Sequence, residues 1–248
     1  MGTSASTKAI TKRRRPAVVL LHGLARGRRS MTSMFEYLAD HGFDPRYYDY
    51  PSTTAPIRRL AKQLCQRIRT DLKDRPLCAV THSLGGIVLR HMRDPRLRWK
   101  RIVMLAPPNN GSAVAAALNA TNGLIGVAFQ VAYGPAGAGL AGATTGAAPR
   151  WPFPPAPFAV IAGTRRRSLM NPTSWFVSDR VFADDVEHDG TVSVDETRLP
   201  GMAAFRTVDA THTTIADDPE VHRLTVAFLR SGVFTRGAAA DAPPRPRP

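Results

Sequence analysis

Apolar residues along this chain fall into two patterns: short unbroken runs, and stripes at helical spacing. Ala17–Leu21 (AVVLL) is an unbroken run, as expected of a strand buried on both faces of a parallel sheet. Met31, Met34, Phe35 and Leu38 have the spacing of one helix face. Residues 44–50 read as a second strand, with Pro45 near its start. The clearest helix is predicted over 57–72, where Ile57, Leu60, Ala61, Leu64, Ile68 and Leu72 form one stripe. A third strand is expected at 77–80, just after Pro76. Leu84, Ile87, Val88 and Met92 then return to helical spacing. Further strands are predicted at 102–106, 158–162 and 205–208. A closing helix is predicted over 219–230, with Val221, Leu224 and Phe228 in its stripe and Pro219 at the first helical position. This alternation implies right-handed βαβ units, hence an α/β class with a mainly parallel sheet covered on both faces. In such a sheet, reactive groups gather at the carboxyl ends of the strands.

Composition narrows the picture. A chain of 248 residues with 43% apolar content suits one globular domain, expected over 16–235. Residues 1–15 read as a basic flexible segment and 236–248 as a disordered tail. The formal charge is +15, from 34 Lys+Arg against 19 Asp+Glu. That admits weak association with an anionic membrane surface. The basic residues are scattered and no aromatic-interleaved basic motif occurs, which speaks against nucleic acid. Cys65 and Cys78 lie in no CxxC or ligand cluster and are expected as buried free thiols. No cofactor or metal is expected, and oligomeric state is not legible. No apolar h-region precedes the first strand, so a cytoplasmic protein is expected.

Candidate chemistry begins at 79–87, AVTHSLGGI. Ser83 lies between a predicted strand and a predicted helix, the context of a nucleophile elbow. The usual pattern is G-x-S-x-G, and Thr81 stands where the first glycine would be; Gly85 and Gly86 supply room on the helix side. The competing reading of Ser83 is a helix N-cap. A nucleophilic serine also needs a base, an acid that orients it, and oxyanion donors. His22-Gly23-Leu24 follows the first strand, and its glycine would let the Leu24 amide face a developing oxyanion. The Leu84 amide would be the second donor. His212, after the last strand, is the candidate base; His22 and His82 flank the site in supporting roles. His41, His91 and His222 fall within predicted helices and read as surface or packing residues. The acid is Asp189, in a turn before Gly190, with Asp195 as runner-up. Asp184, Asp185 and Glu187 read as a solvated acidic turn.

The chain resembles the α/β-hydrolase superfamily, particularly small bacterial lipases and lipase-like esterases. The motifs are LLHGL at 20–24, VTHSLGG at 80–86, APPNNGS at 106–112, HDGTVSV at 188–194 and TH at 211–212. The resemblance implies an acyl-enzyme mechanism on ester substrates. It also implies Ser83, Asp189 and His212 as nucleophile, acid and base, in that family's chain order, with Leu24 and Leu84 at the oxyanion positions. The segment before residue 17 is short for the antiparallel hairpin of larger members, so a reduced sheet of about six strands is expected.

Between Arg101 and Arg150 there is no Asp, Glu, Lys or Arg. Residues 107–157 are expected as a cap-like insertion lining an apolar acyl pocket, or as a loosely packed helical excursion. A membrane span over 123–143 is the competing reading. Its Gly and Ala content and its interruption by Gln130, Tyr133 and Pro135 argue against it. The leading functional expectation is a serine carboxylic-ester hydrolase of lipid metabolism acting on a hydrophobic acyl ester. The alternatives are an acyltransferase or lipid-amide hydrolase with the same triad, and a catalytically silent basic interaction module.

Overall fold

The apolar runs become the strands of one sheet. A computed structural model describes residues 16–121, 124–141, 151–167 and 178–234. The expected basic segment 1–15 and tail 236–248 lie outside the described residues. The strands are β1 (Ala17–Leu21), β2 (Asp44–Tyr47), β3 (Leu77–His82), β4 (Trp99–Leu105), β5 (Phe158–Gly163) and β6 (Ala204–Val208). Their order is β2-β1-β3-β4-β5-β6, and every neighbouring pair is parallel. The fold is therefore α/β with a six-stranded parallel sheet, as expected.

Alternate side chains of each central strand enter separate cores. Val19 and Leu21 join Leu60, Leu64 and Ile68 of helix α2 (Ile57–Leu72) and the buried residues of α3 (Leu84–Arg90). Val18 and Leu20 join Met34 and Leu38 of α1 (Thr32–Asp40), together with Val221, Leu224 and Phe228 of the closing helix, Pro219–Ser231. Cys65 and Cys78 are free thiols, both buried.

The boundaries differ from the pattern at particular places. β2 ends at Tyr47, not Tyr50: the Tyr48 amide still donates to the Leu20 carbonyl, and Tyr50 then packs on His22, just past the end of β1. β4 starts at Trp99, three residues early, since its polar first residues pair with β3 at the sheet rim.

The described part of the insertion contains two helices. α4 (Ala113–Ala120) is capped by Ser112, whose side chain accepts from the Ala115 amide. α5 (Leu124–Leu140) breaks at Gly134-Pro135. Gly134 has φ +59, and a Cβ there would lie 1.6 Å from the Thr53 carbonyl oxygen, so only glycine lets α5 cross the chain ahead of α2. No helix among the described residues is long and apolar enough to cross a membrane. Short helices α6 (Ser178–Val181) and α7 (Val194–Thr197) precede β6, and the closing helix is α8. Asp218 caps α8, with Pro219 in its first turn as the sequence predicts.

The sheet order reverses between β1 and β3: the chain steps from β1 outward to β2, then crosses back to β3. Such a switch point opens a crevice at the carboxyl ends of the two strands. His22-Gly23 leaves β1 there, and Ser83 leaves β3.

Candidate active site

Ser83 sits at a turn that few side chains tolerate. Its backbone has φ 52 and ψ −122, a left-handed value that a non-glycine residue reaches only where surrounding structure holds it. The Ser83 amide donates to the Leu105 carbonyl, which ties the turn to β4. Ser83 holds the N-cap position of α3, but its side chain makes no cap hydrogen bond to the helix. Instead Ser83 Oγ lies 3.0 Å from His212 Nε2.

The two glycines after Ser83 have separate tasks. A Cβ on Gly85 would sit 2.6 Å from the Leu21 carbonyl oxygen and 2.8 Å from that of His22, so Gly85 lets α3 start against the end of β1. A Cβ on Gly86 would lie 3.3 Å from Thr81 Oγ1. Thr81 is fully buried, and the bare Gly86 also leaves room for the Met104 methyl, 2.7 Å from that Cβ position, and for Pro107 at 3.3 Å.

His212 is held from both ends of Asp189. Its amide donates to the Asp189 carbonyl at 2.9 Å, and its Nδ1 lies 2.7 Å from Asp189 Oδ2. Asp189 is 1% exposed. Its other oxygen accepts from the amides of Thr191 and Val192, so the carboxylate closes its own turn, with Gly190 at φ 92. Gly163, at the end of β5, permits this: a Cβ there would meet the Ala210 carbonyl oxygen and the Asp189 Cβ at 2.8 Å or less. The sequence signal for Gly163 was only a glycine ending an apolar run. Asp195, by contrast, has a side chain 92% exposed and pairs with Arg198, away from the site. Its neighbour Glu196 is buried: it forms a capping box with Ser193 and accepts from the Ala113 amide. Asp184, Asp185 and Glu187 are exposed, as the acidic-turn reading expects.

The flanking histidines support the backbone around the site. His82 is buried and its Nε2 lies 2.9 Å from the His212 carbonyl oxygen, so Nε2–H donates and Nδ1 carries the lone pair. Burial, then the positive charge of His212 when it forms, hold the His82 pKa well below the usual imidazole value. His22 stacks on Tyr50 with ring centroids 4.4 Å apart, and Tyr50 donates its hydroxyl proton to the His22 carbonyl at 2.6 Å. Burial lowers the His22 pKa as well. Gly23 lies against the site: a Cβ there would be 3.0 Å from His82 Nδ1 and 3.2 Å from Ser83 Cβ. His41, His91 and His222 each place a ring nitrogen on a nearby backbone carbonyl, in packing roles.

A cavity of about 450 Å³ opens over Ser83. Leu24, Val114, Ala115, Leu118, Tyr133 and Leu140 give it an apolar wall, most of it from α4 and α5, while Ser83, His82 and His212 line its polar side. Among the described residues no group of three or more His, Cys, Asp or Glu could hold a metal ion. A hydroxyl, an imidazole and a buried carboxylate in hydrogen-bond series are the groups that proton removal from a serine requires.

Comparisons with known proteins agree with this architecture. No curated protein matches the chain in sequence. The mature form of Bacillus licheniformis lipase BlEst2 superposes with a TM-score of 0.67 at 16% identity, covering 91% of this chain and 95% of that one. The propeptide form of that lipase gives 0.66 at 19% identity, over 92% of this chain and 52% of the other. Carboxylesterase CesB from Bacillus subtilis gives 0.51 at 14% identity, over 88% and 84%. At these identities the likeness concerns the fold alone. The model of the alpha/beta hydrolase family matches residues 18–245, nearly all of the described chain, and the protein belongs to that family.

Proposed function

We propose that the chain is a serine hydrolase of carboxylic esters with a hydrophobic acyl group, Ser83 being the nucleophile. The observation that carries the reading is the series Ser83 Oγ, His212, Asp189, at 3.0 Å and 2.7 Å, beneath an apolar-walled cavity. The names of the similar structures, lipase and carboxylesterase, point the same way.

Asp189 keeps the proton of His212 on Nδ1, so the Nε2 lone pair faces Ser83. As Ser83 Oγ bonds to the ester carbonyl carbon, its proton passes to Nε2 and the carbonyl electron pair moves onto oxygen. The Leu24 and Leu84 amides are the donors assigned to that oxyanion, each worth about 3 kcal/mol in the transition state. Collapse breaks the bond to the alkoxide, which takes the proton from Nε2. Water then repeats the sequence on the acyl-enzyme, giving up its proton to His212 and releasing the acid and free Ser83. Asp189 stabilises the imidazolium at each stage without being protonated.

Turnover of p-nitrophenyl butyrate by the wild type and by Ser83→Ala tests the reading. Activity in the wild type with loss of at least about 10³-fold in the variant is expected. Equal turnover by both proteins rules it out.

A further inference from the structure

The helix that begins at Ser83 ends in an arginine sealed from water. Arg90 is 0% exposed. Among the described residues no carboxylate pairs with it. Its guanidinium is instead shared among four oxygens. Nε donates to the Pro152 carbonyl at 2.6 Å, and Nη2 to the Trp151 carbonyl at 2.7 Å. Nη1 donates to Asn109 twice, to its carbonyl at 2.9 Å and its Oδ1 at 3.0 Å. The Trp151 ring lies beneath the guanidinium at 5.6 Å. Burial lowers the pKa to about 10, so the group stays charged at neutral pH. Burying a guanidinium is costly unless its donors are satisfied. Here four of its five N–H groups have acceptors among the described residues, and those acceptors stand at the two ends of one chain excursion. Asn109 opens the insertion, and Trp151-Pro152 closes it.

The polar contacts continue beyond Arg90. Asn109, itself fully buried, donates from Nδ2 to the Thr197 carbonyl at 2.8 Å. The Asn110 amide donates to the Glu196 carbonyl at 3.0 Å. The Glu196 carboxylate accepts from the Ala113 amide at 2.5 Å and the Ser193 amide at 2.7 Å. Ala113 starts α4, whose Val114, Ala115 and Leu118 face the cavity, and Ser193 follows the Asp189 turn.

We infer that Arg90 is a positioning residue that sets acyl-chain selectivity, by clamping both ends of the insertion to the helix behind Ser83. The inference rests on the ester-hydrolase reading above. Without the guanidinium, both ends of the insertion lose their common anchor and the α4 wall can draw back. Ser83, His212 and Asp189 keep their own hydrogen bonds, since none of them passes through Arg90. The loss therefore falls on substrates long enough to touch the wall.

The test compares the wild type with Arg90→Met and Arg90→Lys. Their kcat and KM for p-nitrophenyl acetate and octanoate are measured alongside hydrogen exchange of the α4 and β3 amides. In Arg90→Met, the octanoate-to-acetate ratio of kcat/KM is expected to fall about tenfold, mostly through KM. Exchange in α4 is expected to quicken about tenfold while β3 is unchanged. Arg90→Lys keeps the charge but not the fork and should fall between the two. If Arg90→Met does not fold, Asn109→Ala, which removes Oδ1 and the link to Thr197, takes its place. A selectivity ratio within twofold of wild type, or equal losses on both esters with faster exchange in β3, overturns the clamp. An inactive wild type would refute the ester reading and the selectivity with it. Normal turnover with unchanged α4 exchange would refute the clamp alone.

Discussion

Gly85 is the position where the smallest change should do the most damage. A Cβ placed there meets two backbone oxygens, at 2.6 Å from Leu21 and 2.8 Å from His22, where ordinary contact begins at 3.4 Å. Neither oxygen belongs to a flexible side-chain tip, so the start of α3 must move away from β1 by most of an ångström. That movement separates Ser83 and Leu84 from Gly23 and Leu24. A misplacement of about 1 Å at a reacting group costs on the order of 10²-fold in rate. The overpacking itself costs about 1–3 kcal/mol, which in a chain of this size lowers Tm by about 2–4 °C per kcal/mol. At Gly86 the nearest obstacle is the Met104 methyl tip at 2.7 Å, which can swing aside, while Thr81 Oγ1 must yield only slightly from 3.3 Å. Gly85→Ala is therefore expected to lose about 10²-fold in kcat/KM on p-nitrophenyl butyrate, and Gly86→Ala less than about tenfold. Adding Thr81→Gly to Gly86→Ala should recover part of the smaller loss. Gly85→Ala with kcat/KM within twofold of wild type would refute the close-approach argument.

Other consequences can be measured with the same ester or by thermal unfolding. Asp189→Asn is expected to lower kcat by about 10³- to 10⁴-fold, since the amide no longer holds His212 in the required tautomer, whereas Asp195→Asn should stay within about twofold. Tyr50→Phe removes the donor to the His22 carbonyl and should cost about 1–2 kcal/mol of stability, read as a lower Tm. Stability should also fall in acid. His82 and His22 resist protonation in the folded chain, so as the pH falls below about 6.5 the unfolded chain takes up protons first. Their contribution is whole above that pH and is lost below it, by up to about 1.4 kcal/mol per pH unit for each histidine. A Tm series from about pH 7.5 to pH 5.5 should show a shallower decline in His82→Gln; an unchanged slope would contradict the buried neutral His82.

The sequence carried the sheet well, because strands buried on both faces leave unbroken apolar runs, as at Ala17–Leu21 and over 77–80, the first four residues of β3. It carried Ser83, Asp189 and His212 as candidates through local signals: Ser83 follows an apolar run and precedes two glycines, Asp189 stands before Gly190 in a turn, and His212 lies in the loop after the last strand. What it did not carry depends on partners distant in the chain. Arg90 is one of many scattered basic residues in the sequence, and its burial is decided by carbonyls about sixty residues later. Glu196 stood in an acidic cluster with Asp195, and only the approach of α4 separates the buried carboxylate from the exposed one. Tyr50 continued an apparent strand, while its hydroxyl belongs to the His22 turn.

The central claim is that Ser83 is an activated nucleophile. Treatment of the folded wild type with a fluorophosphonate probe, followed by mass spectrometry of the peptides, tests it most directly. One adduct per chain is expected, on the peptide bearing Ser83, absent in Ser83→Ala and much slower to form in His212→Ala. A folded wild type that takes no label, or takes it equally well in Ser83→Ala, would contradict the account.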